Sequence, residues 1–182
     1  MSKKRYLETN VLDESRRRIG YIFENFEKCY VSFSGGKDST VMMHLVLEEA
    51  IKRNKVVGVL IIDLEAQYRH TIDHIREVIE MYKDNIDLHW FCGELLLRNA
   101  VSDFQPKWDP WGEECKNLWI REKPKEASDL SQYDFYVPKM EFEEFMVLFG
   151  KWYSGSKLTA GFIGIQMKVC IDTGQSFQIK KV

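Results

Sequence analysis

The sequence feature that most constrains the fold of this chain is a pair of glycines one residue after a largely apolar run. Residues 29–33 are apolar and aromatic apart from one serine, and they lead into the segment Ser34-Gly35-Gly36-Lys37-Asp38-Ser39. Apolar side chains then recur over residues 41–50 at a spacing close to 3.6, which predicts a helix. A strand that passes through glycines into a helix presents backbone N–H groups at the positive end of the helix dipole. The segment is therefore predicted to be an anion-binding loop.

The loop residues offer several kinds of contact to a phosphate group. Gly35 and Gly36 let the backbone approach closely, and Lys37 adds a positive charge. The two serines supply hydroxyl donors, and Asp38 is expected to orient the loop or to hold a magnesium ion. The predicted phosphate-binding residues are Ser34, Gly35, Gly36, Lys37, Asp38 and Ser39.

The segments around the loop alternate between strand and helix patterns. Residues 56–62 form a continuous, β-branched apolar run that ends at Asp63, as expected of a central parallel strand. Helical spacing recurs over residues 12–26 and 72–82, and residues 86–91 are a third strand candidate. The alternation predicts a single-domain α/β fold with a doubly wound, mostly parallel sheet. Ligands of such sheets bind beyond the carboxyl ends of the strands, which is where the loop and Asp63 fall.

The alternation is interrupted in the second half of the sequence. Residues 94–101 are predicted to form a short helix, and residues from about 104 to 138, rich in proline and tryptophan, a long irregular insertion. The insertion is expected either to form a lid that stacks on a base or to pack as an ordered loop. Helical spacing returns over residues 142–152, and a last strand is predicted over residues 159–165.

The loop sequence itself points to a family. It is not a Walker A motif, because that motif needs glycine where Val31 stands and serine or threonine where Asp38 stands. It closely resembles the Ser-Gly-Gly-Lys-Asp-Ser signature of the PP-loop superfamily, which includes ATP pyrophosphatases, sulfate-activation enzymes and phosphoadenosine phosphosulfate (PAPS) reductases. The resemblance implies a Rossmann-like fold of the adenine nucleotide alpha hydrolase type. It also implies that the loop binds ATP or a PAPS-like nucleotide.

A second segment narrows the resemblance. Residues 63–71 keep the Asp-to-Thr spacing of the Asp-Thr-Gly…Glu-Thr segment of PAPS reductases, with Glu65 and His70 in place of the glycine and glutamate. Together with Trp108 in the insertion, this segment resembles a sister group, the PAPS reductase-like proteins of the immunoglobulin-binding regulator A type. Asp63 is placed to accept a hydrogen bond from a ribose hydroxyl or to ligate a metal. Thr71 is placed to cap a helix or to contact a phosphate.

The end of the sequence departs from the family pattern. The family continues its last strand as Gly-Ile-Arg-Ala-Asp-Glu-Ser, whereas here Gly164-Ile165 is followed by Gln-Met-Lys-Val-Cys. A shifted reading frame that starts at the last base of the Gln166 codon permits Asp-Glu-Ser-Leu-Tyr-Arg. We therefore interpret residues 1–165 as a nucleotide-binding domain that is incomplete at its carboxyl end, and residues 166–182 as a frameshifted tail. A divergent natural ending is the alternative.

Composition excludes several classes of site. The four cysteines are scattered without a Cys-x-x-Cys pair, so neither a zinc site nor an iron–sulfur cluster is expected. His70 and His74 are one helical turn apart, but no third ligand is evident, which favours surface histidines. A formal net charge of −2 gives no general attraction to nucleic acid. With no long apolar run, a cytoplasmic protein without a membrane span is expected.

The sequence thus favours an adenine-nucleotide-binding protein, with adenylyl or sulfonucleotide chemistry as its reaction if it is an enzyme. The Glu-Cys-Gly context of the reductases' catalytic cysteine is absent, so reduction is not expected. One rival is a regulatory protein that uses the nucleotide as a switch, with a ParB-like partner implied by the family resemblance. Another is an inactive, truncated remnant.

Overall fold

The computed structural model describes residues 8–99 and 104–164, and the fold is built from four helices and seven strands within them. In chain order these are α1 (Val11–Asn25), β1 (Lys28–Ser32), α2 (Lys37–Lys52), β2 (Val57–Ile62), α3 (Arg69–Met81), β3 (Ile86–Phe91), β4 (Leu95–Arg98), β5 (Lys107–Trp108), β6 (Met140–Glu141), α4 (Phe142–Ser154) and β7 (Thr159–Ile163). The side chain of Asn10 caps α1, since its Oδ1 accepts a hydrogen bond from Asp13 N at 2.9 Å.

The central sheet has four parallel strands in the order β3-β2-β1-β7. Tyr30 of β1 lies between Gly58 of β2 and Gly161 of β7 in the register. The carboxyl ends of all four strands therefore meet at one edge. The α/β fold class with a mostly parallel sheet is confirmed.

Helices cover both faces of this sheet, as the alternation of buried residues requires. Alternate strand residues such as Val31 and Val59 pack into a core with α1, α2 and α3, to which Met43 and Ile75 belong. The other face is packed by α4 through a mainly aromatic core. Its fully or largely buried members are Tyr30, Leu60, Phe91, Leu95, Tyr133, Phe145, Phe149 and Tyr153.

The prediction of a helix over residues 94–101 is wrong for residues 94–99, the part of this segment that the structure describes. Leu95–Arg98 is a strand that pairs in parallel with β6 and antiparallel with β5. Three leucines favour a helix intrinsically, but burial of Leu95 and pairing with two strands distant in sequence outweigh that preference. The last strand ends at Ile163 rather than residue 165, which lies outside the described residues.

The insertion is ordered rather than wholly irregular. It contains β5 and two short 3₁₀ helices, Glu113–Leu118 and Leu130–Gln132. Trp111 is 1% exposed and belongs to the core that the sheet forms with α1, α2 and α3. Trp119 packs against it edge-on, with 5.0 Å between the ring centroids. The burial of Trp111 favours packing of an ordered loop over a lid that stacks on a base. In the described ranges no helix is both long and apolar enough to cross a membrane.

Candidate functional site

The glycine segment forms the connection between β1 and α2 at the carboxyl edge of the sheet. Phe33 is buried and its N–H donates to Leu60 O at 2.8 Å, which ties the start of the connection to β2. Gly36 is the N-cap residue of α2, and no side chain caps its first turn. Because the first N–H groups of a helix have no partner within the helix, this turn presents donors at the sheet edge. Ser34, Gly36, Lys37 and Asp38 are exposed there.

A set of short hydrogen bonds fixes the loop from inside. The hydroxyl of Ser39 donates to Gly36 O at 2.9 Å and accepts from Ser34 N at 3.3 Å. Ser34 Oγ lies 3.0 Å from Ser39 Oγ and donates to it, because the single Ser39 proton already points to Gly36. Ser39 is 6% exposed. Its hydroxyl therefore holds the loop together, and Ser34 is left at the surface.

Thr40, in the first turn of α2, is a residue of the site that sequence reasoning missed. Both its backbone N–H and its Oγ1 lie 2.9 Å from Gly36 O, and its Oγ1 also lies 3.0 Å from His74 Nε2. Thr40 thereby connects the loop to the middle of α3. The sequence signal for this role was the presence of a hydroxyl residue directly after the motif. His74, weighed from sequence as a metal ligand, instead contacts this threonine.

Gly35 packs against the start of α3, and this contact requires glycine. Its φ is +73°, a region that side-chain-bearing residues rarely adopt. A Cβ at this position would lie 2.8 Å from Ile75 Cγ1 and 2.9 Å from Thr71 Cγ2. The structure thus brings Thr71 against the loop. Since Tyr68 is the N-cap of α3 and Thr71 its third residue, the cap interpretation of Thr71 is wrong.

The charges of the loop lie at its surface. The Lys37 side chain is 85% exposed, and its Nζ lies 3.6 Å from Asp38 Oδ1. An ion pair this exposed contributes little to stability, and the Lys37 ammonium group stays accessible to a ligand. In the part of the chain that the structure describes, no three residues among histidine, cysteine, aspartate and glutamate cluster as a metal site. A magnesium ion here would depend on Asp38, bound phosphates and water.

The end of β7 closes one side of the loop. A Cβ on Gly164 would lie 3.3 Å from both Cα and N of Ser39, so the backbone after β7 runs directly against the first turn of α2. Residues 166–182, interpreted above as a frameshifted tail, lie outside the described residues, as does Cys170 within them.

Asp63 lies at the same edge, after β2, but its carboxylate already has partners within the protein. It is 1% exposed, and its Oδ2 accepts from Trp90 Nε1 at 3.0 Å. Its Oδ1 accepts from Glu65 N at 2.9 Å and pairs with Arg121 Nη2. Its carbonyl accepts from Trp111 Nε1 at 2.7 Å. In this arrangement Asp63 anchors the insertion to the sheet edge.

The buried thiols are held in the protonated form. Burial raises the pKa of Cys29 to about 11. Burial, together with the negative charge of Asp63, raises the pKa of Cys92 further still. Because the thiolate is the reactive species, neither thiol is activated for nucleophilic or redox chemistry. Cys115 is exposed in the insertion.

Two comparisons with known proteins bear on this arrangement. The phosphoadenosine phosphosulfate reductase domain family matches residues 28–134, which run from β1 through most of the insertion. The uncharacterised protein YbdN of Escherichia coli strain K12 is 38% identical over 162 residues, covering 88% of this chain. The chain spans 39% of the length of that relative. Since the family match covers more than half of the sequence, this chain belongs to the phosphoadenosine phosphosulfate reductase domain family.

Proposed function

We propose that residues 34–39 bind the phosphates of an adenine nucleotide, either ATP or a PAPS-like sulfonucleotide. One observation carries the proposal: the loop holds its own shape through Ser39 and Gly35 while Gly36 and Lys37 remain exposed at the start of a 16-residue helix. Such a helix start favours anions through its free N–H groups and its dipole. A preformed loop also loses little conformational entropy when a ligand binds.

Within this proposal the exposed groups have separate tasks. The main-chain N–H groups of the first turn of α2 contact the phosphates, and Ser34 adds a hydroxyl at the surface. Lys37 neutralises part of the phosphate charge. Asp38 holds a magnesium ion that also contacts the phosphate oxygens. Thr71, whose methyl group faces Gly35, lies close enough to the loop to contact the same ligand. Asp63 is the ribose contact only if Arg121 releases its carboxylate.

The proposed reaction, if the protein turns its ligand over, is adenylyl transfer or sulfonucleotide chemistry. A nucleotide-dependent regulatory protein without turnover is the second candidate, with a ParB-like protein as its partner. Burial of the Cys29 and Cys92 thiols argues against reduction by either of them, whichever candidate holds. Release of pyrophosphate from ATP would favour the enzyme. Capture of the partner that needs ATP but does not consume it would favour the switch.

Calorimetric titration of the native chain with ATP and with PAPS, each with magnesium, tests the binding proposal. Lys37→Ala should weaken binding by about tenfold or more, the effect of losing one charge-assisted contact. Lys52→Ala is the matched control, because Lys52 is an exposed lysine at the opposite end of the same helix. It should bind as the native chain does.

Two results would overturn the proposal. One is equal affinity of the Lys37→Ala and Lys52→Ala variants. The other is a native chain that is folded by circular dichroism but binds neither nucleotide. A folded chain that binds neither nucleotide would be an inactive remnant, and its thermal unfolding should stay unchanged by ATP and magnesium, because only a ligand of the folded state raises its stability.

A further inference from the structure

The insertion forms an open pocket of about 500 Å³, and no residue of the phosphate loop lines it. Its size is within the range of pockets that hold small organic molecules. All its lining residues come from one stretch of the insertion: Glu113, Lys116, Trp119, Arg121, Glu122 and Lys123. Whether the loop of residues 34–39 binds a nucleotide therefore does not decide what this pocket binds.

Three cations, two carboxylates and one indole ring line the pocket. The ammonium groups of Lys116 and Lys123 lie 5.4 Å and 5.2 Å from the centroid of the half-buried Trp119 ring. The guanidinium of Arg121 lies 5.1 Å from the centroid of the buried Trp111 ring. This arrangement offers an apolar surface next to several positive charges, which suits a molecule that combines an anionic group with a flat or apolar part.

Arg121 has hydrogen-bonding capacity that its protein partners do not use. Its Nη2 pairs with Asp63, whereas its buried Nε has no hydrogen-bond partner in residues 8–99 and 104–164. A buried N–H without a partner is costly, by about 1–3 kcal/mol in general. The side chain is 19% exposed. An oxyanion that reached Nε would give it the partner it lacks.

Glu113 indicates where an anion would sit. Its carboxylate lies 3.7 Å from Lys116 Nζ and 4.0 Å from Lys123 Nζ, and its side chain is 61% exposed. The two lysines are thus arranged to hold one carboxylate between them. Because Glu113 is on the rim and largely solvated, this pairing is weak and can be displaced.

We propose that this pocket binds a small organic anion. Its sulfonate, phosphate or carboxylate group takes the place of the Glu113 carboxylate between Lys116 and Lys123 and reaches Arg121. Its flat or apolar part packs on Trp119. The proposal concerns a site separate from the phosphate loop.

Benzenesulfonate is the probe, and benzenesulfonamide, which has the same ring without the charge, is its neutral control. Titration is followed by the indole N–H signal of Trp119 in NMR spectra, assigned with Trp119→Phe. Benzenesulfonate should shift this signal saturably, whereas benzenesulfonamide should leave it nearly unchanged. Sulfate should bind more weakly than benzenesulfonate because it lacks the ring.

Two variants test the assigned contacts without touching the buried Asp63 pair, and a third is their control. Lys123→Gln should weaken benzenesulfonate binding by about tenfold, the loss expected for one charge-assisted contact. Glu113→Gln should strengthen it by roughly threefold, because the competing carboxylate is gone. Lys125→Gln, the same change at an exposed lysine outside the pocket, should have no effect.

The proposal is overturned if the Trp119 signal does not respond saturably to benzenesulfonate, or if Lys123→Gln and Lys125→Gln bind alike. It is also overturned if Lys37→Ala abolishes the response, since the anion would then be held by the phosphate loop. Failure of ATP to bind with an intact benzenesulfonate response would refute only the nucleotide proposal.

Discussion

Replacing Gly35 with alanine tests how the phosphate loop is held against α3. Two costs add at this position. The backbone has φ +73°, and a positive φ costs a non-glycine residue about 1–3 kcal/mol. The new methyl group would also lie 2.8 Å from Ile75 Cγ1, and such overpacking costs about 1–3 kcal/mol. Because the contacted atoms belong to side chains that can move, we expect a total of about 2–4 kcal/mol.

Two other glycines separate these costs. Gly155 ends α4 with φ +59°, but a Cβ there would have no atom within 4 Å. Gly155→Ala should therefore lose only the conformational part, about 1–3 kcal/mol. Gly36 has φ −77°, and the nearest atom to its Cβ would be Ser34 Oγ at 3.5 Å. Gly36→Ala should change stability by about 1 kcal/mol or less.

Urea denaturation of the three variants measures these free energies directly. A loss of about 3 kcal/mol at Gly35 corresponds to a decrease of roughly 6–12 °C in Tm for a chain of this size. The expected order of destabilisation is Gly35, then Gly155, then Gly36. A Gly35→Ala variant no less stable than Gly155→Ala would refute the reasoning, because the contact with α3 would then carry no cost.

Three further predictions concern other parts of the molecule. Arg121→Ala should destabilise the fold by about 3–5 kcal/mol in urea denaturation, because the Asp63 carboxyl group, in a residue only 1% exposed, would lose its cationic partner. At mildly alkaline pH, iodoacetamide should label Cys115 and spare Cys29, whose pKa of about 11 keeps it protonated; mass spectrometry reads the sites. The His89 imidazole, whose Nε2 lies 3.4 Å from Asp87 Oδ2, lowers the pKa of Asp87. The Asp87 carboxylate should therefore stabilise the fold at neutral pH and lose this effect as pH falls through its folded-state pKa. Asp87→Asn should accordingly reduce the dependence of the free energy of unfolding on pH in the acid range.

The central sheet could be predicted because its signals are local. Residues 29–33 and 56–62 are short apolar runs that end at Ser-Gly-Gly and at Asp63, and the helix between them keeps a 3.6-residue spacing. Parallel strands with crossover helices then follow from chain connectivity. The strand β4 could not be predicted, because its partners β5 and β6 are themselves only two residues long and its leucines favour a helix.

The loop was the most predictable part of the candidate site, and its surroundings were the least. A glycine pair between a strand and a helix has few structural interpretations. The contact between Gly35 and Ile75 depends instead on how α3 packs, and the backbone after β7 runs against Ser39. The partner of Asp63 is Arg121, 58 residues later, and no local pattern connects the two. The position of Asp63 at the sheet edge could therefore be predicted from the sequence, but its buried hydrogen bonds with Trp90, Glu65 and Arg121 could not.

The most direct test of the nucleotide-binding account is the response of individual backbone amides to ATP. In ¹H–¹⁵N NMR spectra of the native chain, ATP with magnesium should shift the amide signals of residues 35–38 strongly and saturably. Adenosine, which lacks phosphates, should leave these signals nearly unchanged. If ATP moves signals elsewhere while the amides of residues 35–38 stay unchanged, the loop does not bind the phosphates and the account is wrong.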